Sequence, residues 1–152
     1  KEAMRLLPDT LLHAATEAIE LAVLSHLLDL RLAEDLARRP KPMAPITLND
    51  YRRAYSRGSY RRLRRHQIEL VLRVGRALDA AVKKHGVYKL LRASRIPAHL
   101  AGLSELQAFL ERGFSAFEAL GGADEFLAAV AGRERAVSGR LFAGDPKPFP
   151  AF

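Results

Sequence analysis

Apolar residues recur every three or four positions along most of this chain, and that spacing constrains the fold more than any other feature. The clearest run lies between residues 103 and 120. Its seam consists of Leu103, Leu106, Leu110, Gly113, Phe117 and Leu120. Residues at these spacings share one side of an α-helix, whereas no long stretch shows the period of two that marks a strand. The sequence therefore predicts an all-α, single-domain bundle of five to seven helices, two of them long, with no sheet.

Capping and turn residues divide the chain into predicted helices. Asp9 or Thr10 suits the start of the first helix, and the three prolines within 39–47 end it. Thr47 and Asp50 resemble a capping box that opens the next helix. The predicted helices span 9–38, 47–57, 59–85, two short segments between 87 and 100, 104–120 and 123–142, followed by an extended Pro-rich tail at 143–152.

The same seams predict which side chains form the core. The predicted anchors are Ile19, Leu30, Val71, Val74, Leu78, Leu106, Phe109, Leu110, Phe117, Phe126, Val130 and Leu141. A helical wheel gives the first helix an apolar side that consists of Leu12, Ala15, Ile19, Ala22, Val23, Leu30 and Ala33. The wheel places Leu24 and Leu27 near the polar side, where we expect them to be exposed.

Length and composition exclude several classes of protein. The chain has 152 residues, 49% of them hydrophobic, which suits one domain with a substantial core. It has no cysteine, which excludes disulfides, thiolate metal sites and a cysteine nucleophile. The most apolar long run, 11–30, carries Glu17, Glu20 and Asp29, each costly at a bilayer centre. We therefore predict a buried helix there rather than a membrane span, and a cytoplasmic protein, since the lack of cysteine fits a reducing compartment.

The chain is strongly basic, with a formal net charge of +8. A wheel places five cations on one side of the predicted helix 59–85, namely Arg62, Arg65, Arg73, Arg76 and Lys83. This stripe, about 30 Å long, could follow a phosphate backbone, and Tyr51, Tyr55 and Tyr60 could stack on bases. However, the tyrosines fall where core packing would place them, and Glu69 interrupts the stripe. We prefer a solvated basic face and keep a polyanion-binding site as the alternative.

Polar residues on predicted apolar faces give a further hypothesis. His26 and Asp29 fall within the apolar arc of the first helix, and Arg133 and Glu134 lie beside the seam of the last helix. Buried charges need partners, so we predict a buried polar network of these four residues. The alternative is a small-ligand or enzymatic pocket, with His26 as proton carrier and Asp29 or Glu134 as its orienting acid. No phosphate loop, dinucleotide fingerprint, nucleophile elbow or metal motif is present, so we predict no cofactor and no metal.

Several segments resemble the FFLEELY-motif proteins, an uncharacterised bacterial family. LSELQAFLERGFSAFEALGGADEFLAAVAGRE (103–134) and RLFAGDPKPF (140–149) carry the resemblance, and ITLNDYRRAY and RHQIELVLRVGRALD are similar to the middle section of that family. The name-giving N-terminal segment is absent and the chain begins with Lys1, so we expect a fragment of a longer chain. In that case Leu24 and Leu27 would be the docking site of the missing segment. The resemblance implies a helical domain without a known activity.

These features leave three classes of function. The leading hypothesis is a non-enzymatic interaction or scaffold domain with a basic face, which contacts a protein partner or forms a homodimer through surface apolar residues. A nucleic-acid-binding module that uses the arginine stripe is the alternative. A ligand or enzymatic pocket around His26, Asp29 and Glu134 is the second alternative, although no catalytic motif supports it.

Overall fold

The structure, a computed structural model, describes residues 9–57, 60–84 and 86–150. Within these residues the chain forms seven α-helices and no strand, which confirms the predicted all-α class. The helices are α1 (Asp9–Ala37), α2 (Leu48–Ser56), α3 (Arg61–Val82), α4 (Val87–Ala93), α5 (Arg95–Leu100), α6 (Ser104–Ala119) and α7 (Asp124–Ala143). The predicted ends of the third helix, Ser59 and His85, lie outside the described residues.

Local hydrogen bonds set the start of α2, as the sequence predicts. Thr47 Oγ1 accepts from the backbone N–H of Asp50 at 3.1 Å, and Asp50 Oδ2 accepts from the backbone N–H of Thr47 at 3.0 Å. The Arg39 side chain closes the preceding Pro-rich loop, because it donates to the carbonyls of Leu36 and Ala44 as well as to Asp50. The hydrogen bonds from Thr47 and Arg39 also lower the pKa of Asp50. Together these bonds fix the turn from α1 into α2.

Helix α3 is the central element of the fold, since α1, α6 and α7 all pack against it. Leu70 of α3 is fully buried and forms one core cluster with Leu24 and Leu28 of α1. Leu21 and Tyr60 pack against this cluster. Burying one leucine side chain contributes roughly 1.5–3 kcal/mol, so these contacts decide which side of α1 faces the bundle.

Several predicted core residues lie on the surface instead. Ile19, Leu30, Leu110 and Phe126 are exposed, so their prediction as core anchors is wrong. Leu24, which we expected to be exposed, is buried. In α1 the error arises because apolar residues occupy both sides of the helix, and periodicity does not tell which side meets a neighbour.

The remaining predicted anchors lie closer to their expected positions. Leu141 is buried, as predicted. The half-buried anchors are Val71, Val74, Leu78, Phe117 and Val130. The side chains of Leu106 and Phe109 lie outside the part of the chain that the structure describes.

Helices α3 and α7 approach each other closely at Gly75. A Cβ atom on Gly75 would lie 2.4 Å from Cδ2 of Leu127, which is itself buried. One turn further along α3, Asp79 is buried, and its Oδ1 accepts the backbone N–H of Ala123 at 3.2 Å. Asp79 Oδ2 accepts from Lys83 at 2.6 Å. Because Ala123 precedes the first residue of α7 and has no capping side chain, α3 supplies the cap for α7.

The C-terminal tail packs back against the helices. Gly144 caps the C-terminus of α7, and its φ of 77° lies in the left-handed region that glycine tolerates. Arg140 Nε donates to the carbonyl of Pro148 at 2.8 Å, and Pro148 is buried. The ring of Phe149 lies 6.3 Å from that of Tyr51. The described part of the Pro-rich tail is therefore held against α2 and α7 without forming a helix or strand of its own.

A polar network anchors the short helices α4 and α5 on α6. Gln107 is buried and donates to the carbonyl of Leu91 at 2.5 Å, while Ser94 Oγ donates to Gln107 Oε1 at 3.1 Å. Arg95 donates through Nε to Glu111 Oε1 at 2.6 Å and through a second nitrogen to Oε2. Hydrogen bonds from Arg95, and then from Gln107, lower the pKa of Glu111 to about 2.

We expect Gly75→Ala to destabilise the fold by up to about 2 kcal/mol, because overlap with the buried Leu127 costs about 1–3 kcal/mol and the gain in helix propensity offsets up to about 1 kcal/mol of it. Gly132→Ala is the matched control, since Gly132 lies in α7, is exposed, and has nothing within 4 Å of an added Cβ. It should stabilise the fold by up to about 1 kcal/mol through higher helix propensity. Urea unfolding followed by circular dichroism measures both changes. Equal stabilisation by the two substitutions would contradict the close approach of α3 and α7.

We expect the contribution of Glu111 to stability to disappear in acid. Its folded-state pKa of about 2 lies below the ordinary value of 4.5. The contribution is therefore complete above about pH 4.5 and is lost as the pH falls towards 2. Glu111→Gln should lower the melting temperature at pH 6, and this difference from the wild type should shrink towards pH 2. Glu118→Gln, an exposed position on the same helix, is the control; a Glu111→Gln difference that stays constant with pH would rule out the ionised pair.

Candidate functional site

One side of α1 carries large apolar side chains that point away from the bundle. The exposed fraction is 66% for Ile19, 63% for Val23, 43% for Leu27 and 49% for Leu30. We call this side the outer face of α1, and its members, all exposed, are Ala15, Ile19, Ala22, Val23, His26, Leu27, Leu30 and Ala33. At ~1.5 Å per residue the outer face is about 27 Å long.

The outer face lies opposite the side that α1 buries. At about 100° per residue, Leu24 and Leu28 lie about 140° and 180° around the helix from Ile19, and they form the contact with α3. A helix with apolar residues on two sides is typically covered on both, and an exposed apolar patch of about 300 Å² or more is often functional. Leu24 and Leu27, which we expected to form a docking site together, lie on different sides of α1. Leu24 belongs to the core and Leu27 to the outer face. The helical wheel thus identified most of the outer face as one apolar stripe, but we predicted that stripe to be buried in the core.

Charged residues line the edges of the outer face. A helical wheel places Glu20, Arg31 and Glu34 along one edge and Asp29 along the other. Glu20 Oε1 lies 2.7 Å from Nε2 of His66 on α3, and Arg31 lies 3.9 Å from Glu34. The whole of α1 carries six acidic residues and one arginine, in a chain whose total charge is +8. The outer face is therefore an apolar strip with mainly acidic edges on an otherwise basic protein.

The five cations of the predicted stripe are all exposed on α3 or directly after it, but two of them are in ion pairs. Arg73 Nε lies 2.8 Å from Glu17 Oε1, and Lys83 Nζ lies 2.6 Å from Asp79 Oδ2. The hydrogen bond to Asp79 raises the pKa of Lys83. The cations of the stripe that form no ion pair with a described residue are Arg62, Arg65 and Arg76. The stripe therefore offers fewer cations to a polyanion than the sequence indicated.

The tyrosines considered for base stacking are engaged in internal packing. The rings of Tyr51 and Tyr55 lie 6.1 Å apart, and the Tyr55 ring lies 5.3 Å from that of Phe142. The guanidinium of Arg64 lies 4.5 Å above the Tyr55 ring, and the Tyr55 hydroxyl donates to Ser138 Oγ at 3.0 Å. Burial raises the pKa of Tyr51. These tyrosines hold α2 on α7 rather than form a stacking platform.

The predicted buried polar network is wrong, because its four members are exposed. His26 and Asp29 lie on the outer side of α1, and Arg133 and Glu134 lie on the surface of α7. Arg133 and Glu134 line a cavity of about 500 Å³ beside Tyr51. A second cavity of about 330 Å³ shares Tyr51 and Glu134 with the first. His26 and Asp29 line neither cavity, so the proposed proton carrier and its acid do not share a pocket with Glu134.

Neither a membrane span nor a metal cluster is present in the described part of the chain. Among the described helices, none has both the length and the hydrophobicity that crossing a bilayer requires. The described residues contain no group of three or more His, Cys, Asp or Glu side chains placed to hold a metal ion.

Comparison with known proteins identifies the family of this chain. A family model described as a domain of unknown function (DUF8198) matches residues 1–148. Because the match covers nearly the whole chain, the chain belongs to the DUF8198 family. No curated protein and no solved structure matches it.

We expect weak binding to nucleic acid with low salt sensitivity, because two of the five stripe cations are paired. On duplex DNA, three phosphate contacts would give a slope of log affinity against log salt of about −2.7, whereas five would give about −4.5; on a single strand the slopes would be about −2.1 and −3.5. Fluorescence anisotropy with duplex DNA and single-stranded RNA at several salt concentrations measures this slope. Arg65→Glu with Arg76→Glu is the test variant. Lys41→Glu with Lys147→Glu, two exposed lysines outside the stripe, is the charge-matched control.

A steep slope would contradict this expectation. If the slope on duplex DNA lies near −4.5, and the test variant abolishes binding while the control retains it, the stripe is a nucleic-acid site. Equal and small effects of the two variants would show that the arginines contribute through net charge alone.

Proposed function

We propose that this domain is a non-enzymatic interaction module that docks an amphipathic helix of a protein partner on the outer face of α1. The observation that carries the proposal is the exposure of Ile19, Val23 and Leu30 on the side opposite the core contact of α1. Burying an apolar side chain of this size contributes about 1.5–3 kcal/mol, so covering the outer face is favourable. Anchors at spacings of three and four are typical of helix-to-helix recognition.

The charges at the edges of the outer face favour a protein over a membrane. Helices that lie in anionic membrane surfaces carry lysine and arginine beside their apolar side. Glu20, Asp29 and Glu34 flank the apolar strip here, and anionic headgroups would repel them. In this proposal the arginines of α3 form a solvated basic face and take no direct part in docking.

We also propose that the chain is related to the FFLEELY-motif proteins and is a bacterial, cytoplasmic domain. The segments 103–134 and 140–149 support the relationship, because they resemble that family over α6, α7 and the tail. The absence of cysteine supports a reducing compartment.

Site-specific photocross-linking in the organism of origin tests the interaction module. Benzoylphenylalanine at position 26, within the outer face, should form adducts of defined mass. Ile19→Ser with Leu30→Ser should abolish them, because the apolar contact is lost. Ile96→Ser is the matched control, since Ile96 is 74% exposed on α5, and it should leave the adducts unchanged.

Folding and docking can be separated in this experiment. Substitutions at exposed positions change folding stability by roughly 0.5 kcal/mol or less, so circular dichroism should show equally helical variants. The proposal fails if position 26 gives no adduct, or if its adducts persist in the double variant.

A further inference from the structure

We propose that the partner on the outer face is the outer face of a second copy, so that two α1 helices pack antiparallel about a two-fold axis. This inference rests on the proposed function and names the partner of the same surface. It follows from the positions of the apolar and charged residues along α1 and around it.

The apolar positions of the outer face are symmetric about a midpoint between residues 24 and 25. Ile19 and Leu30 lie equally far from this midpoint, as do Ala22 and Leu27, while Val23 is matched by His26. In an antiparallel pair with a two-fold axis through the midpoint, Ile19 of one copy therefore packs on Leu30 of the other. A parallel pair would place each residue against its own counterpart, so that two His26 imidazoles would meet inside the contact. The apolar pattern thus favours the antiparallel arrangement.

The charges along one edge are self-complementary in this arrangement. Glu20 and Arg31 lie on the same edge, about 100° and 120° around the helix from Ile19. A two-fold axis brings this edge against itself, so Glu20 of each copy comes within about 3 Å, measured along the helix, of Arg31 of the other copy. His13 and Glu34 stand in the same relation nearer the ends of the contact.

The opposite edge brings no like charges together. There Asp29 faces Ala22 of the second copy, and the two Asp29 carboxylates are separated by about 13 Å along the helices. The side chains of Glu20 and Arg31 are about half exposed, so both can reach across the contact in exchange for their pairs with His66 and Glu34 within one copy. Exposed ion pairs contribute little energy each, so they select the orientation while the apolar residues supply most of the affinity.

The size of the outer face sets the strength of the contact. A strip about 27 Å long and about 10 Å wide covers roughly 300 Å² in each copy, well below the ~800 Å² per partner of a stable interface. We therefore expect a reversible dimer with a dissociation constant on the order of 10 µM.

Analytical ultracentrifugation of the full chain measures self-association. Across a hundredfold concentration range centred on about 10 µM, we expect a shift from monomer to dimer. Ile19→Ser with Leu30→Ser should raise the dissociation constant at least about 30-fold. Ile96→Ser should leave it unchanged. A chain that is monomeric throughout this range overturns the inference.

Charge exchange tests the register. Glu20→Arg and Arg31→Glu should each weaken the dimer about threefold to tenfold. Combined in one chain, they should restore dimerisation, because both ion pairs are rebuilt with reversed polarity. Melting temperatures of all three variants report any effect on folding, including loss of the Glu20 bond to His66. Weakening by each single change without recovery in the combined variant would exclude this register.

Engineered thiols test the orientation, since the chain has no cysteine of its own. Ala15 and Ala33 are exposed on one edge and lie almost equally far from the midpoint. A mixture of Ala15→Cys and Ala33→Cys should form a mixed disulfide under mild oxidation. Either variant alone should not, because equivalent residues of the two copies are about 27 Å apart, far beyond the ~7 Å that a disulfide spans. Disulfides between identical positions would show parallel packing and overturn the inference.

These results separate the dimer from the proposed function. A monomer in the ultracentrifuge, together with cross-links from position 26 to another protein that depend on Ile19 and Leu30, overturns the dimer and leaves the interaction module standing. A monomer without such cross-links overturns both.

Discussion

The contact between Leu70 of α3 and the pair Leu24 and Leu28 of α1 determines which residues of α1 are exposed on its outer face. Leu28 and Leu70 are among the most buried side chains described, Leu24 is buried beside them, and the three fix the rotation of α1 about its own axis. Once that rotation is fixed, the apolar residues half a turn away have no covering layer among the described elements. Exposure of Ile19 and its neighbours is therefore a consequence of core packing and not an independent feature. A rotation that buried Ile19 would have exposed Leu24 and Leu28 instead.

Helix α3 also sets the position of α7, through one glycine and one aspartate. Gly75 lets Leu127 approach the α3 backbone, and Asp79 accepts the N–H of Ala123 where α7 begins. The first contact depends on shape and the second on hydrogen bonding, so together they define both the distance and the axial position of α7. Since Tyr55 of α2 packs against α7, the position of α2 depends on these two contacts as well.

The sequence predicted the helix ends better than the helix faces, and the reason is physical. The capping box of Thr47 and Asp50 is a local interaction, completed within four residues, so it can be read without knowing the fold. The buried side of a helix is a tertiary property. In α1 both sides are apolar, and the calculated wheel selected the wrong one. In α7 the buried line uses small residues such as Ala131 and Ser138, which carry a weak hydrophobic signal, and Phe126 was chosen as an anchor instead. The candidate site was thus visible in the sequence as a pattern, but its exposure was not.

The net charges of α1 and of the rest of the chain indicate which interactions orient a helix that docks on the outer face. Six acidic residues and one arginine give α1 a net charge of −5, which leaves +13 for the rest of a chain whose total is +8. The basic body of one copy attracts the acidic helix of another. Packed helices lie about 8–10 Å apart, so α1 of a second copy would be roughly twice that distance from α3, whereas salt screens exposed charges over about 8 Å. The long-range attraction is therefore largely screened, and the orientation of any helix on the outer face depends on charges at its edges, chiefly Glu20 and Arg31.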